Sequence, residues 1–259
     1  MITRRELGRA FDALRLSEVD LCIHSSMGSF GEQLERGPED LVETLLARGC
    51  TIMVPTFSSC FLAESGGDET AVFHPECKDL SVEKMGILSS YILQAPGRIR
   101  GNHPLNSFAA LGPHAEELVN GQTPRDVYDP FRQLCNRDGF VLLAGVSLDR
   151  ATIVHYAEQL AGRRLFVRRA RTAEGTIPAA VGGCSRGFNQ LAPVLEPLRR
   201  AVAVGQSKWS CFRAQDMVAV CKETIQNNPY ITHCGAPLCS RCSEAVKGGP
   251  PVDEFLWNS

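Results

Sequence analysis

The run Phe140-Val141-Leu142-Leu143-Ala144-Gly145-Val146 carries no polar side chain on either side of its two-residue repeat. A strand with one wet face alternates apolar and polar residues, whereas a strand covered by helices on both faces is apolar throughout. The run therefore predicts an inner strand of a helix-covered sheet. Two shorter runs are of the same kind. Leu21-Cys22-Ile23 ends at His24-Ser25-Ser26, and Thr51-Ile52-Met53-Val54 is cut off by Pro55. Helical signals lie between them. Thr3 and Glu6 form a capping box ahead of Leu7, Phe11 and Leu14 on one face. Pro38 is preset for a first helical position, with Glu39 and Asp40 at the positive end of the dipole and Gly49 as the stop. Further helices are predicted over 81–94, from Asp129-Pro130 to before Asp138-Gly139, over 149–162, and over 213–227 with Ala214, Met217, Val218, Cys221 and Ile225 on one side. Short strands are predicted over 108–111 and, as an outer strand with cationic positions, over 163–170. Residues 58–75, with Glu64, Asp68 and Glu69, read as a long surface loop of the kind that often serves function. The alternation predicts an α/β fold, a three-layer sheet with helices on both faces.

With 259 residues and no repeat or low-complexity linker, the simplest division is one domain over 1–227 and a Cys-rich C-terminal tail over 228–259. The 27 basic and 29 acidic side chains leave a net charge of -2, which supplies no basic field for nucleic acid. No apolar stretch reaches the roughly 18–20 residues needed to span a bilayer. The charged start Met1-Ile2-Thr3-Arg4-Arg5 is followed by no apolar signal region, so a cytoplasmic protein is expected. In that compartment the eleven cysteines serve as buried thiols or metal ligands rather than disulfides.

Ligands of open α/β sheets bind beyond the carboxyl ends of strands. After the apolar run the chain places Asp149, Thr152, His155 and Glu158 at a spacing of three, which keeps neighbours on one helical face with a drift of about 60° per step. Asp149 would cap that helix. His155 beside a carboxylate suits a general base, because the negative charge favours the imidazolium and fixes the ring. Spacing alone leaves open that Asp149 is only a cap and His155 an ordinary surface or core histidine. The segment from His24 to Gly31 offers three hydroxyls, two glycines and free N–H groups that suit a phosphate or pantetheine cradle, or simply a strand-end turn. Pro104 pushes His103 into an extended conformation in the second such segment, from Gly101 to Ser107.

Taken in order, these segments resemble the aminoglycoside N3-acetyltransferase family. The matching pieces are His24-Ser25-Ser26 with Ser29 and Gly31, the stretch from Gly49 to Thr56, and Met85-Gly86. They continue with His103-Pro104, Ser107, Ala109-Ala110 and Gly112, with Asp138-Gly139 to Gly145, and with Asp149, Thr152, His155 and Glu158. They extend over about residues 10–165. The resemblance implies direct transfer of acetyl from acetyl-CoA to the 3-amino group of an aminoglycoside, an antibiotic-resistance activity. His155 would be the base, Glu158 would orient it or hold the substrate ammonium, and Thr152 and Asp149 would complete the catalytic set. It also puts His24, Ser25, Ser26, Ser29, Phe30, Thr56, His103 and Ser107 on the CoA side. No cysteine needs to be catalytic.

There are departures. The chain has Phe73-His74-Pro75 where the family often has Phe-Asp-Pro, and Arg150-Ala151 where it commonly has Ser-Asn. Arg150 opposes a polycationic substrate, and Glu64, Asp68 and Glu69 are the acids expected to offset it. An acetyltransferase acting on another small biosynthetic amine, or a non-catalytic amine-binding module, is the alternative. The expected partners are a small-molecule amine and acetyl-CoA, with a homodimer left open and neither nucleic acid nor membrane among them.

The tail carries Cys234, Cys239 and Cys242, preceded by His233. A Cys-x2-Cys pair is half of a tetrahedral zinc site, because two thiolates so spaced reach one ion from a tight turn. Structural zinc held by Cys234, Cys239, Cys242 and His233 is one expectation. His233 and Cys234 are adjacent, however, and Cys184, Cys211 or Cys221 are alternative fourth ligands. Free thiols packing the chain end are the other reading.

Overall fold

A computed structural model of the chain describes residues 1–63, 70–80 and 82–253. Its elements are α1 (Arg4–Leu14), β1 (Asp20–Ser25), α2 (Pro38–Leu46), β2 (Thr51–Pro55), α3 (Val82–Gln94), β3 (Ile99–Arg100) and β4 (Phe108–Leu111). These are followed by α4 (Ala115–Val119), α5 (Asp129–Asn136), β5 (Phe140–Ala144), α6 (Ile153–Leu160), β6 (Phe166–Thr172) and β7 (Gly175–Val181). The chain closes with α7 (Ala192–Leu195), β8 (Arg200–Val204), β9 (Ser207–Arg213), α8 (Ala214–Asn227), α9 (Ser240–Lys247) and β10 (Val252–Asp253).

Seven strands form one sheet in the order β3-β4-β2-β1-β5-β9-β8. The inner trio β2-β1-β5 is parallel, with Leu21 opposite Ile52 and Ile23 opposite Leu142, and the outer strands are antiparallel. The pleat explains why these strands read as wholly apolar. Cys22, Met53, Val141 and Leu143 point into one core with α4, α5, α6 and α8. Leu21, Ile23, Ile52, Val54 and Leu142 point into the other with α1, α2 and α3. The three-layer expectation is met. On the second face Trp209 is fully buried between Phe11 and Phe30, at ring separations of 5.9 and 5.5 Å.

Both the capping box at Thr3 and the buried face of α8 form as the sequence predicts. Other elements differ. The helix expected over 81–94 is broken at Gly86, whose φ of 79° only glycine adopts readily. The helix expected over 149–162 splits into a 3-10 turn at Leu148–Arg150 and α6, so Asp149 lies in the turn and Thr152 at the cap position. The cationic strand is β6, which belongs to a separate three-stranded sheet, β10-β6-β7. Its apolar side packs on Phe61, Phe73 and Ala245. The flanks of the long loop run beside it, with the Ala63 N–H donating to the Arg169 carbonyl and the Phe73 N–H to that of Arg171. The tail beyond α8 lies against the rest of the chain, as β10 pairs with β6 and Ala245 enters the small core.

Candidate active site

β1 is flanked by β2 on one side and β5 on the other, so the crossovers leave it in opposite directions and open a crevice at the carboxyl ends. A cleft of about 1000 Å³ occupies that place. His24, Ser25 and Ser26 enter it from β1, Gly145 to Ser147 from the end of β5, Met85 to Ile87 from the break in α3, and Thr152 and His155 from α6. The opposite wall comes from the small sheet and the tail, through Arg168, Gly182, Gly183 and Arg241.

At the base of this cleft His155 Nδ1 lies 2.8 Å from Glu158 Oε2. The spacing of three on α6 brings them together, as the sequence predicts. Glu158 is buried, and its carboxylate is held at the other oxygen, where Thr232 Oγ1 donates at 2.6 Å and Arg163 Nη1 stands 3.6 Å away. Arg163 in turn donates to the Pro229 carbonyl. The imidazole stacks on Tyr128 at 6.2 Å and meets the edge of Phe188 at 4.7 Å. With Nδ1 committed to Glu158, Nε2 is the ring nitrogen left to take a proton. Gly182 closes over this ring. A Cβ there would overlap the Tyr128 hydroxyl and come within 2.9 Å of the imidazole. Among the described residues that hydroxyl has no hydrogen-bond partner, and burial pushes its pKa well up, with the Glu158 charge adding to the shift.

Asp149 is the one acid among the described residues lining the cleft. It accepts from Ser147 Oγ and lies 3.8 Å from Arg150 Nε, whose side chain is largely in solvent. Glu64, Asp68 and Glu69, the other acids expected near a substrate, lie outside the described residues.

Of the residues expected on the CoA side, the cleft holds His24, Ser25 and Ser26. Burial pulls the His24 pKa down to about 4, so the ring is neutral at physiological pH. Ser29 lies behind them, donating to the Ser26 carbonyl at 2.6 Å and paired with Ser207 Oγ at 2.9 Å. Phe30 is a core residue against Trp209. Thr56, His103 and Ser107 are buried framework rather than cleft wall. His103 Nε2 is 2.8 Å from the Ala180 carbonyl, and its Nδ1 accepts from Leu105 N and Asn106 N, which consumes both ring nitrogens. Thr56 and Ser107 are bound to each other and to Arg100, a buried cation that the sequence reasoning missed. Arg100 also donates to Ser58 Oγ and to the carbonyls of Cys77 and Asp79, with its guanidinium 5.1 Å from the Phe73 ring. No local pattern marks it, since its hydrogen-bond partners come from three separate segments, 56–58, 77–79 and Ser107.

The sulfurs of Cys184, Cys234, Cys239 and Cys242 lie within 4.8 Å of one another. His233 is outside this group; its Nδ1 accepts from Gly235 N at 3.1 Å. Cys211 and Cys221 are buried in the two main cores.

Among the described residues no helix is long and apolar enough to cross a membrane. The family model for aminoglycoside 3-N-acetyltransferases matches residues 22–226. Aminoglycoside N(3)-acetyltransferase IV of Salmonella sp is 33% identical over 147 residues, which are 54% of this chain and 52% of that protein. Aminoglycoside N(3)-acetyltransferase IX of Micromonospora chalcea is 33% identical over 181 residues, 63% of this chain and 64% of its own. The chain thus spans between half and two-thirds of the length of these relatives. A mutant of aminoglycoside acetyltransferase AAC(3)-IVa, with alanine replacing a histidine and solved in complex with a gentamicin, superposes with a TM-score of 0.82 at 25% identity over 96% of this chain and 98% of that one. AAC-IIIb, solved as a binary complex with CoASH, shares the fold with a TM-score of 0.76 at 20% identity, covering 87% of this chain and 96% of its own. A match across most of the sheet, both core-forming helix layers and the His155 segment establishes that the chain belongs to the aminoglycoside 3-N-acetyltransferase family.

Proposed function

We propose that this chain transfers the acetyl group of acetyl-CoA directly to the 3-amino group of an aminoglycoside, with His155 as general base. The observation that carries the reading is the part-buried His155–Glu158 pair beside a cleft of about 1000 Å³. An alkylamine of lysine-like pKa is mostly protonated near neutral pH and must lose a proton before it can attack a thioester. In the reaction His155 Nε2 first takes the ammonium proton, and the freed amine nitrogen adds to the thioester carbonyl. The tetrahedral adduct then expels the CoA thiolate, which takes up the second proton lost from the nitrogen, and His155 returns its own proton to solvent. Glu158 supports the imidazolium formed on the way.

Acetyl-CoA enters on the side of His24, Ser25 and Ser26, and the acceptor ammonium is drawn to Asp149. The complexes of AAC-IIIb with CoASH and of AAC(3)-IVa with a gentamicin support these two ligand classes. The reaction is assigned to the reducing cytoplasm, in keeping with eleven unpaired cysteines.

The test is acetyl transfer across a panel of aminoglycosides and other small amines, with product mass and regiochemistry by NMR. A 3-N-acetylated aminoglycoside and a His155→Ala protein that binds acetyl-CoA without turning it over are expected. Full turnover by His155→Ala would remove the assigned base, and acetylation confined to other amines would remove the aminoglycoside.

A further inference from the structure

The cysteine cluster joins two parts of the chain that the cleft depends on. Cys184 follows β7 by way of Gly182, the residue lying on the His155 ring. Cys234, Cys239 and Cys242 belong to the tail, which also carries Thr232 to Glu158 and Arg241 to the cleft wall. We propose that these four cysteines bind one zinc ion as thiolates, and that the ion clasps the tail to the post-β7 loop so that Thr232 holds Glu158 in line with His155.

The donor set fits zinc. Four thiolates at about 2.3 Å from one ion stand about 3.8 Å apart, which the observed cluster allows, and four soft sulfurs select a closed tetrahedral site with no place for a reactive water. On binding, each thiol gives up its proton, so Zn²⁺ and four thiolates leave a net charge of -2. The surroundings supply donors for that charge. Cys234 N donates to Cys242 Sγ at 3.4 Å, and the backbone N–H groups of Arg186 and Ala236 donate to the sulfurs of Cys184 and Cys234. Cys239 and Cys242 also flank the first turn of α9, where the helix dipole favours negative sulfur. Four cysteines drawn from both ends of a 50-residue span (184 to 234) close a loop that the tail's own contacts would otherwise hold alone.

Zinc binding stands independently of the acetyl-transfer reading, while its effect on Glu158 rests on it. Protein purified under reducing, chelator-free conditions is measured for metal content and mass. About one zinc per chain is expected, and substoichiometric zinc, or a mass showing disulfides in its place, overturns the site. Titration of the native protein with an organomercurial should release the zinc as four thiols react, a readout that requires no variant to fold. Cobalt substituted for zinc should give thiolate charge-transfer absorption and tetrahedral visible bands. Cys184→Ser should alter that spectrum, whereas His233→Ala and Cys221→Ser should leave it unchanged; the reverse pattern refutes the ligand set. For the clasp, Thr232→Val should lower kcat by about tenfold or more with zinc content and acceptor KM retained, and Thr232→Ser should restore it. Unchanged kcat in Thr232→Val refutes the coupling and leaves the metal result standing. Absence of turnover in the unaltered, zinc-loaded protein would count against the acetyl-transfer reading instead.

Discussion

Replacing Glu158 by Gln tests the base through its partner rather than by deleting it. The amide is nearly isosteric, and Thr232 Oγ1 donates to the Glu158 Oε1 position at 2.6 Å, so the amide oxygen is held there. The amide NH2 then faces His155 Nδ1, which sits 2.8 Å from the other carboxylate oxygen. An NH2 donor in that place makes Nδ1 the acceptor and moves the ring proton to Nε2, the atom that must be empty to accept a proton from the amine. The charge is lost as well. A carboxylate and an imidazolium with centres about 4 Å apart attract by about 4 kcal/mol at an effective dielectric near 20. At 1.36 kcal/mol per decade this is roughly a 10³-fold fall in kcat. The two side chains are only 12% and 8% exposed, so solvent screening removes little of it. Arg163, 3.6 Å from Oε1, loses a partner, so a modest drop in Tm should accompany the variant. Turnover should be followed by loss of thioester absorbance or by chromatography of CoA, because the chain's own eleven thiols consume thiol reagents. If kcat of Glu158→Gln stays within about tenfold of the unaltered protein, both the tautomer and the charge argument are wrong.

Other consequences can be checked in parallel. Gly182→Ala places a methyl group against the His155 ring and the Tyr128 hydroxyl, so kcat should fall while the fold survives a cost of about 1–3 kcal/mol, read by kinetics and melting together. Phe30→Ala should cost about 3–5 kcal/mol in denaturant unfolding and leave the acetyl-CoA KM little changed, since its ring packs on Trp209; a large KM effect would return it to the cofactor side. Burial holds His24 and His103 at about 4, below the unfolded value of about 6.5, so the unfolded chain binds protons that the native one does not. Stability is therefore complete above about pH 6.5 and is lost as pH falls towards 4, by up to about 1.4 kcal/mol per pH unit for each ring. Removing one ring in His103→Asn should flatten that slope in a pH series of unfolding curves, and an unchanged slope would argue against its burial as a neutral imidazole.

What the chain declares locally, it declares well. The inner strands, the capped first helix and the apolar face of α8 are legible because each depends on the spacing of neighbours along one element. The pairing of His155 with Glu158 is legible for the same reason, since three residues on a helix are one turn. Strands β7, β8 and β9 escape a reading by pattern, because they are half-wet and interrupted by polar residues such as Lys208 and Ser210. The positions of Phe30, Thr56, His103 and Ser107 are not legible at the level of the motif. Lying near a strand end puts them beside the cleft in the chain, but the direction of each side chain turns them into the core.

Only the tertiary fold brings Thr232 to Glu158 across 74 residues, Arg100 to Thr56 across 44, and Cys184 to the three cysteines of the tail. Such contacts have no period to read. Their partners meet because the sheet order and two cores fix where distant segments pass one another, and that is a property of the packed chain rather than of any stretch of it.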